Sequence, residues 1–167
     1  MLRKAHAWWV ESFGQPTFLG YLAVVRILVG YHFVDVAVGK VARGYWSGEN
    51  LHRQLAGVVD DPIVWHRAFI EGVVLPHPVF FSYLVAFGEL AIGISLITGC
   101  LVRMASSFGA FHNLNIYLAV AIPAGGAGVG LNRIFIFLHL IFVMTSAGRA
   151  LGVDGFLKKK FPRCWLF

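Results

Sequence analysis

Glu89 is a lone carboxylate in the middle of an apolar run, residues 79–100, and any chemistry the chain performs has to account for it. At ~1.5 Å per residue the run is long enough to cross a hydrocarbon core of ~30 Å. A carboxylate at that depth costs about 2.5–3.5 kcal/mol to insert, so it needs a cation, a hydrogen-bond donor or a proton. Three other apolar runs offer partners. Arg26, His32 and Asp35 lie in residues 18–38, His112 and Asn115 in 105–122, and His139 in 131–147. Counted from one face of the bilayer, Arg26, Glu89, His112 and His139 fall at depths of about 12, 16, 12 and 13 Å. Ionisable groups inside a membrane are functional candidates by default. In one layer they can hold a polar headgroup, such as a quinone, and exchange protons with it. Glu89, His112 and His139 are then the catalytic candidates, with Arg26, His32, Asp35 and Asn115 binding the headgroup or substrate.

Plainer readings stand beside this one. Arg26 and Glu89 can form a buried ion pair that fixes helix register. His112 and His139, at matched depth, can ligate a haem b. No metal site is expected, because ligand residues are not clustered at metal spacings. His52, His66 and His77 fall in the longest polar stretch and read as surface residues.

Two of the runs share a stripe that could bring such groups together. Arg26, Gly30, Phe33, Ala37 and Lys40 recur at helical spacing, as do Glu89, Gly93, Leu96, Cys100 and Arg103. Each stripe starts with a charge and places a glycine one turn later, which permits close packing with the charges turned inward. Arg26 is the expected partner of Glu89. Asp35 belongs to a different face of its helix.

Composition sets the solvent. The chain is 58% hydrophobic and 13% charged, where soluble domains carry about 25% charged residues. It reads as one all-α integral membrane domain over residues 1–167, a four-helix bundle with spans near 18–38, 79–100, 105–122 and 131–147. Net charge is +6, but the cations flank apolar runs rather than forming a nucleic-acid motif, so no nucleic-acid partner is expected. Four spans put both termini on one side with Arg3, Lys4, Arg103, Arg149, Lys158, Lys159, Lys160 and Arg163. That excess over the other side favours termini in the cytoplasm and a multi-pass protein of the cytoplasmic membrane. Membrane lipids are expected partners of the basic tail. Cys100 and Cys164 show neither a CxxC nor a metal spacing.

The connecting segments follow local rules. Residues 1–17, with Trp8 and Trp9, read as an interfacial segment retained ahead of the first helix. Residues 44–77 read as one or two short amphipathic helices on the outer surface, with Asp61-Pro62 as a helix start. Ala105, Ser106, Gly109 and Ala110 let a neighbouring helix come close. Residues 123–130 read as a short external turn, and Asp154 as the N-cap of a terminal helix.

Three motifs resemble those of the DoxX-like family. They are R-x3-G-x2-F-x5-G-K (Arg26, Gly30, Phe33, Gly39, Lys40), G-E-L-x2-G-x2-L-x2-G-x3-R (Gly88 to Arg103) and A-G-R-x2-G-x-D (Ala147 to Asp154). The last motif and the long first loop are similar to the DoxD branch, the small membrane subunit of thiosulfate:quinone oxidoreductase. The resemblance implies a four-helix membrane bundle, quinone or sulfur redox metabolism, and a second oxidoreductase subunit or soluble redox enzyme as partner. Arg103, Arg149 and Asp154 would order the cytoplasmic face where that partner docks. Two other functions fit the same residues: a non-catalytic anchor or assembly factor recruiting redox enzymes, and a small-molecule or proton transporter.

Overall fold

The computed structural model describes residues 19–167, so the interfacial reading of residues 1–17 lies outside the described residues. Helix α1 spans Leu19–Ala42. The connection that follows carries a 3-10 turn Tyr45–Ser47, helix α2 Glu49–Gln54, a second 3-10 turn Val58–Asp60, and helix α3 Val64–Phe69 running into a π-helical turn Ile70–Val74. Helix α4 is Pro78–Thr98, α5 is Val102–Ile116, and a π-helical segment Tyr117–Ala121 carries α5 on into the short α6, Ile122–Ala124. Helix α7 is Ala127–Thr145, and a 3-10 turn Ala147–Arg149 precedes α8, Val153–Lys160. No strand occurs among the described residues.

Three helices, α1, α4 and α7, are long and apolar enough to cross a membrane. Each long helix turns large apolar side chains outward: Tyr31 is 66%, Phe80 63%, Phe108 62% and Phe137 65% exposed. A continuous apolar exterior of this kind is stable against lipid and not against water. The protein is an all-helical membrane protein.

Helix ends follow backbone rules. Pro78 opens α4, where its missing N–H costs nothing, and Gly99 closes it at φ 69°. α7 starts four residues earlier than its apolar run suggests, because the Gly125-Gly126 turn, at φ 68° and 72°, is tight enough for Ala127 to begin the helix.

The helices pack as two antiparallel pairs, α1 along α4 and α5 along α7, which meet through α4 with α5 and α1 with α7. Small residues set both approaches. A methyl at Gly30 would lie 2.9 Å from the Gly93 carbonyl oxygen, so the two backbones touch where the stripes cross. On the other pair, Gly109 faces the His139 ring with no room for a side chain. The main core is Val29, Phe33, Ile92, Leu96, Val102, Phe135, Phe142 and Ala147. A second core lies under the connection, where Tyr45, Leu51, Leu55, Val58, Ile70 and Val74 pack with Ala119 of the π-helical segment.

The crossing point corrects the expected register. Arg26 meets the turn around Gly99 rather than Glu89. Its Nη2 donates to the Leu151 carbonyl at 3.0 Å and to that of Ala150 at 3.4 Å. Ten residues separate Gly99 from Glu89, about 15 Å along α4. The depth count failed because it started every helix at the same plane. Here the Gly99–Leu101 turn folds inward to the level of Arg26, about 10 Å inside the first residue of α1.

The A-G-R-x2-G-x-D motif closes this end of the molecule. Asp154 is the second residue of α8 rather than its N-cap, and its carboxylate caps α5 instead. It accepts the Leu101 N–H at 2.7 Å and the Val102 N–H at 2.9 Å, while its own N–H donates to the Gly99 carbonyl at 2.8 Å. A side chain at Gly148 would collide with Asp154, and one at Gly152 with Arg26 and the Gly148 carbonyl. Among the described residues Leu101, Ser146 and Leu151 are the non-glycine residues at positive φ (55°, 52° and 47°); Leu101 and Leu151 sit in this network and Ser146 directly precedes the motif. Left-handed backbone at such residues persists only where its surroundings hold it.

Candidate functional site

Glu89 is 3% exposed and stands on the inner face of α4. Its partner is Lys40, whose Nζ donates to Oε1 at 2.5 Å. Lys40 sits in the last turn of α1, and side chains on a helix lean toward its N-terminus, so the long stem reaches back to the level of Glu89. The same Oε1 faces His112 Nε2 at 2.9 Å, across from α5. Glu89 Oε2 has no hydrogen-bond partner in the protein. One oxygen is therefore held by two cation-forming groups and the other is uncommitted.

A cleft of about 100 Å³ opens beside this carboxylate, between α1, α5 and α7. Glu89, His112, Asn113 and Asn132 supply its polar lining, and His32, Phe33 and Phe135 its aromatic walls. His32 stacks on Phe135 with ring centroids 4.7 Å apart, and Phe33 meets Phe135 edge-on at 5.7 Å. At ~30 Å³ per water the space equals that of about three waters. It is smaller than the ~300–1,000 Å³ of enclosed small-molecule sites, so it can receive the edge of a ring but not a long ligand.

The other sequence candidates separate from this cleft. His139 is fully buried behind Phe33, at 5.3 Å between centroids, and against Phe142 at 6.3 Å; it does not line the cleft. Both of its ring nitrogens lack a partner in the protein. His139 is enclosed, whereas His112 Nε2 is turned to Glu89. Asp35 lies on the exposed face of α1. Arg26 belongs to the network around Gly99, Leu151 and Asp154. Among the described residues no three His, Cys, Asp or Glu side chains converge as metal ligands.

Asn115 is not at the cleft either. Its amide nitrogen donates to the Phe111 carbonyl at 2.7 Å, so its oxygen faces His66 Nε2 at 2.9 Å. His66 Nδ1 in turn contacts the Asp61 carboxylate. His66, read as a surface residue, is 3% exposed. Asp61 also accepts the Ile63 N–H at 2.8 Å, so it forms a turn ahead of α3 instead of capping it. His52 and His77 are exposed. The Asp61–His66–Asn115 chain ties the connection to α5, above the cleft.

Tyr45 completes the surroundings of Lys40. The ammonium lies 5.1 Å from the centre of its ring, and the phenol donates to Gln54 at 3.0 Å. Burial first, and then the charge of Glu89, push this phenol above its usual range, so it stays a donor. At the opposite end Arg103 Nε donates to the Val143 carbonyl at 3.0 Å and Nη1 to that of Trp165. Arg149 is exposed and donates to the Phe167 carbonyl at 2.6 Å.

Sequence reasoning missed Lys40, Asn113 and Asn132. The signal for Lys40 was present: it closes the same stripe that carries Arg26, and in an antiparallel pair the far end of one stripe meets the start of the other. His112 draws attention as an imidazole, whereas its neighbour Asn113 is buried and bonded to the Gly109 carbonyl at 2.8 Å.

A buried, cation-clamped carboxylate beside a narrow cleft between apolar helices is the polar centre of this helical membrane protein. The chain belongs to the family described as TQO small subunit DoxD, whose model matches residues 21–166. That span takes in every residue of the cleft and of the Asp154 network. No match is found among curated proteins or among solved structures.

Proposed function

We propose that this protein is the membrane subunit of a quinone-linked oxidoreductase of the thiosulfate:quinone type, and that the cleft at Glu89 receives the quinone headgroup. The observation that carries the site is the asymmetry of Glu89, a lining residue of the cleft: Oε1 is held by Lys40 and His112, and the buried Oε2 has no partner in the protein. The family supports the reaction class and a partner subunit that delivers electrons from the sulfur donor. The Val102–Ala124 stretch serves as the fourth crossing, with the termini and the Asp154 end on the cytoplasmic side of the inner membrane.

Each lining group then has a task. The ring edge enters between His32, Phe33 and Phe135, and the isoprenoid tail stays in lipid, as the small volume requires. Asn113 and Asn132 are amides able to donate to a quinone oxygen. Reducing a quinone by two electrons adds two protons. His112 Nε2–H passes a proton across its hydrogen bond to the Glu89 carboxylate, and the resulting carboxyl hands it to a quinone oxygen gaining negative charge. Protons from the aqueous side reload His112 for the second transfer, while Lys40 keeps the carboxylate in place between transfers. His139 holds the packing behind Phe33 and touches no substrate.

The test is sulfur-donor-dependent quinone reduction by the assembled complex. Glu89→Gln should lower kcat by about 10²-fold or more, and His32→Ala should act mainly on KM for the quinone. Turnover unchanged in Glu89→Gln would remove the carboxylate from the reaction and leave it a structural partner of Lys40.

A further inference from the structure

A second cavity, far from Glu89, lies against α8 and has a volume of about 480 Å³. Arg149, Lys158 and Lys159 supply its charges, Leu151 and Phe156 its apolar wall, and Gly152 its floor. We propose that it is a specific site for the headgroup of an anionic phospholipid, one molecule per chain.

Charge is the first reason. Asp154 is the only acid at this end among the described residues, and it is 2% exposed with both oxygens bonded to α5. Among the described residues no acidic side chain pairs with Arg149, Lys158 or Lys159. Lys158 donates to the Cys164 carbonyl at 2.8 Å and Arg149 to that of Phe167, yet an ammonium has three donors and a guanidinium five. Both keep donors for a phosphate, and Lys159 is exposed.

Level is the second reason, and it selects a lipid over a soluble anion. The cavity floor hangs on Arg26 through the Ala150 and Leu151 carbonyls. Arg26 lies about 10 Å inside the first residue of α1, so α1 continues past the cavity with Tyr21, Val24 and Val25 exposed. Apolar helix surface of the kind that lipid covers therefore runs past the level of the cavity. Leu151 is 70% and Phe156 74% exposed at its rim, apolar surface that acyl chains cover. Basic pockets beside helices at this level are the usual receptors for anionic headgroups.

The experiment is native mass spectrometry of the full chain in neutral detergent, titrated with an equimolar mixture of phosphatidylglycerol and phosphatidylcholine. One phosphatidylglycerol should be retained in preference to phosphatidylcholine. The triple variant Arg149→Gln/Lys158→Gln/Lys159→Gln should lose that preference by on the order of 100-fold, about 5-fold per cation. Lys160→Gln/Arg163→Gln, outside the cavity, should retain it, and circular dichroism melts check that all variants fold. Any of three results would overturn the proposal: no preference in the wild type, equal loss in the Lys160/Arg163 variant, or displacement by glycerol phosphate at matched concentration, which would make the ligand a free anion. Loss of a co-purifying subunit from the triple variant with no change in lipid retention would also overturn it, assigning the cavity to a protein partner.

Discussion

Replacing Lys40 by methionine should destabilise the protein more than replacing Lys40 and Glu89 together. In Lys40→Met the carboxylate stays at 3% exposure with only His112 against Oε1 and nothing against Oε2. Stranding one member of a buried pair costs about 3–5 kcal/mol. Glu89→Gln strands the ammonium instead, but Lys40 is in the last turn of α1 and can swing toward the membrane surface, so about 1–3 kcal/mol is expected. The double variant Lys40→Met/Glu89→Gln removes both charges and should recover about 2–3 kcal/mol relative to the sum of the singles. The matching cycle with Arg26→Met should be additive within ~0.5 kcal/mol, since about 15 Å of α4 separates Arg26's contacts from Glu89. Denaturant unfolding in micelles, followed by circular dichroism, measures the energies of the three single and two double variants. Coupling of Glu89 to Arg26 and not to Lys40 would refute the register described above.

Gly93→Val should destabilise by about 1–3 kcal/mol or more, because even a methyl there would lie 2.7 Å from Val34 Cγ2 and 2.9 Å from the Gly30 carbonyl. Gly88→Ala, with open space around it, should be neutral or stabilising by up to about 1 kcal/mol; the same unfolding assay compares the two. Asp154→Ala removes two hydrogen bonds at the start of α5 and should cost about 1–2 kcal/mol. Asn115→Ala should leave the long helices intact but release the connection from α5, seen as faster amide exchange over residues 58–70 by about tenfold.

Much of the architecture was legible because lipid imposes a strong pattern. Apolar runs broken by Gly, Pro and clustered charge can only be helices, and the four runs coincide with α1, α4, the Val102–Ala124 stretch and α7. Glu89, His112 and His32 were legible for the same reason: polar groups in an apolar run favour the inward face, with Asp35 on the exposed face of α1 as the exception. Pairing was not. It depends on how far each helix slides along its neighbour, and that slide is set by the inward fold of the Gly99–Leu101 and Ala150–Gly152 turns. Arg26 and Lys40 occupy one stripe, so the sequence offered both as partners of Glu89, and only the register chose. His66 was misread because its burial comes from a contact across 49 positions with Asn115, which no local spacing records. Asp154 stands at the head of a helix two residues after Gly152, so it looked like the cap of α8; its actual targets, the N–H groups of Leu101 and Val102, lie far off in the chain.

The most direct test of the intramembrane site is an equilibrium binding isotherm for a short-chain quinone on the purified protein in nanodiscs. Wild type should bind one quinone saturably, and Glu89→Gln and His32→Ala should each weaken binding about tenfold, the effect of losing one contact worth ~1.4 kcal/mol. Identical isotherms for all three proteins would contradict a headgroup seated beside Glu89.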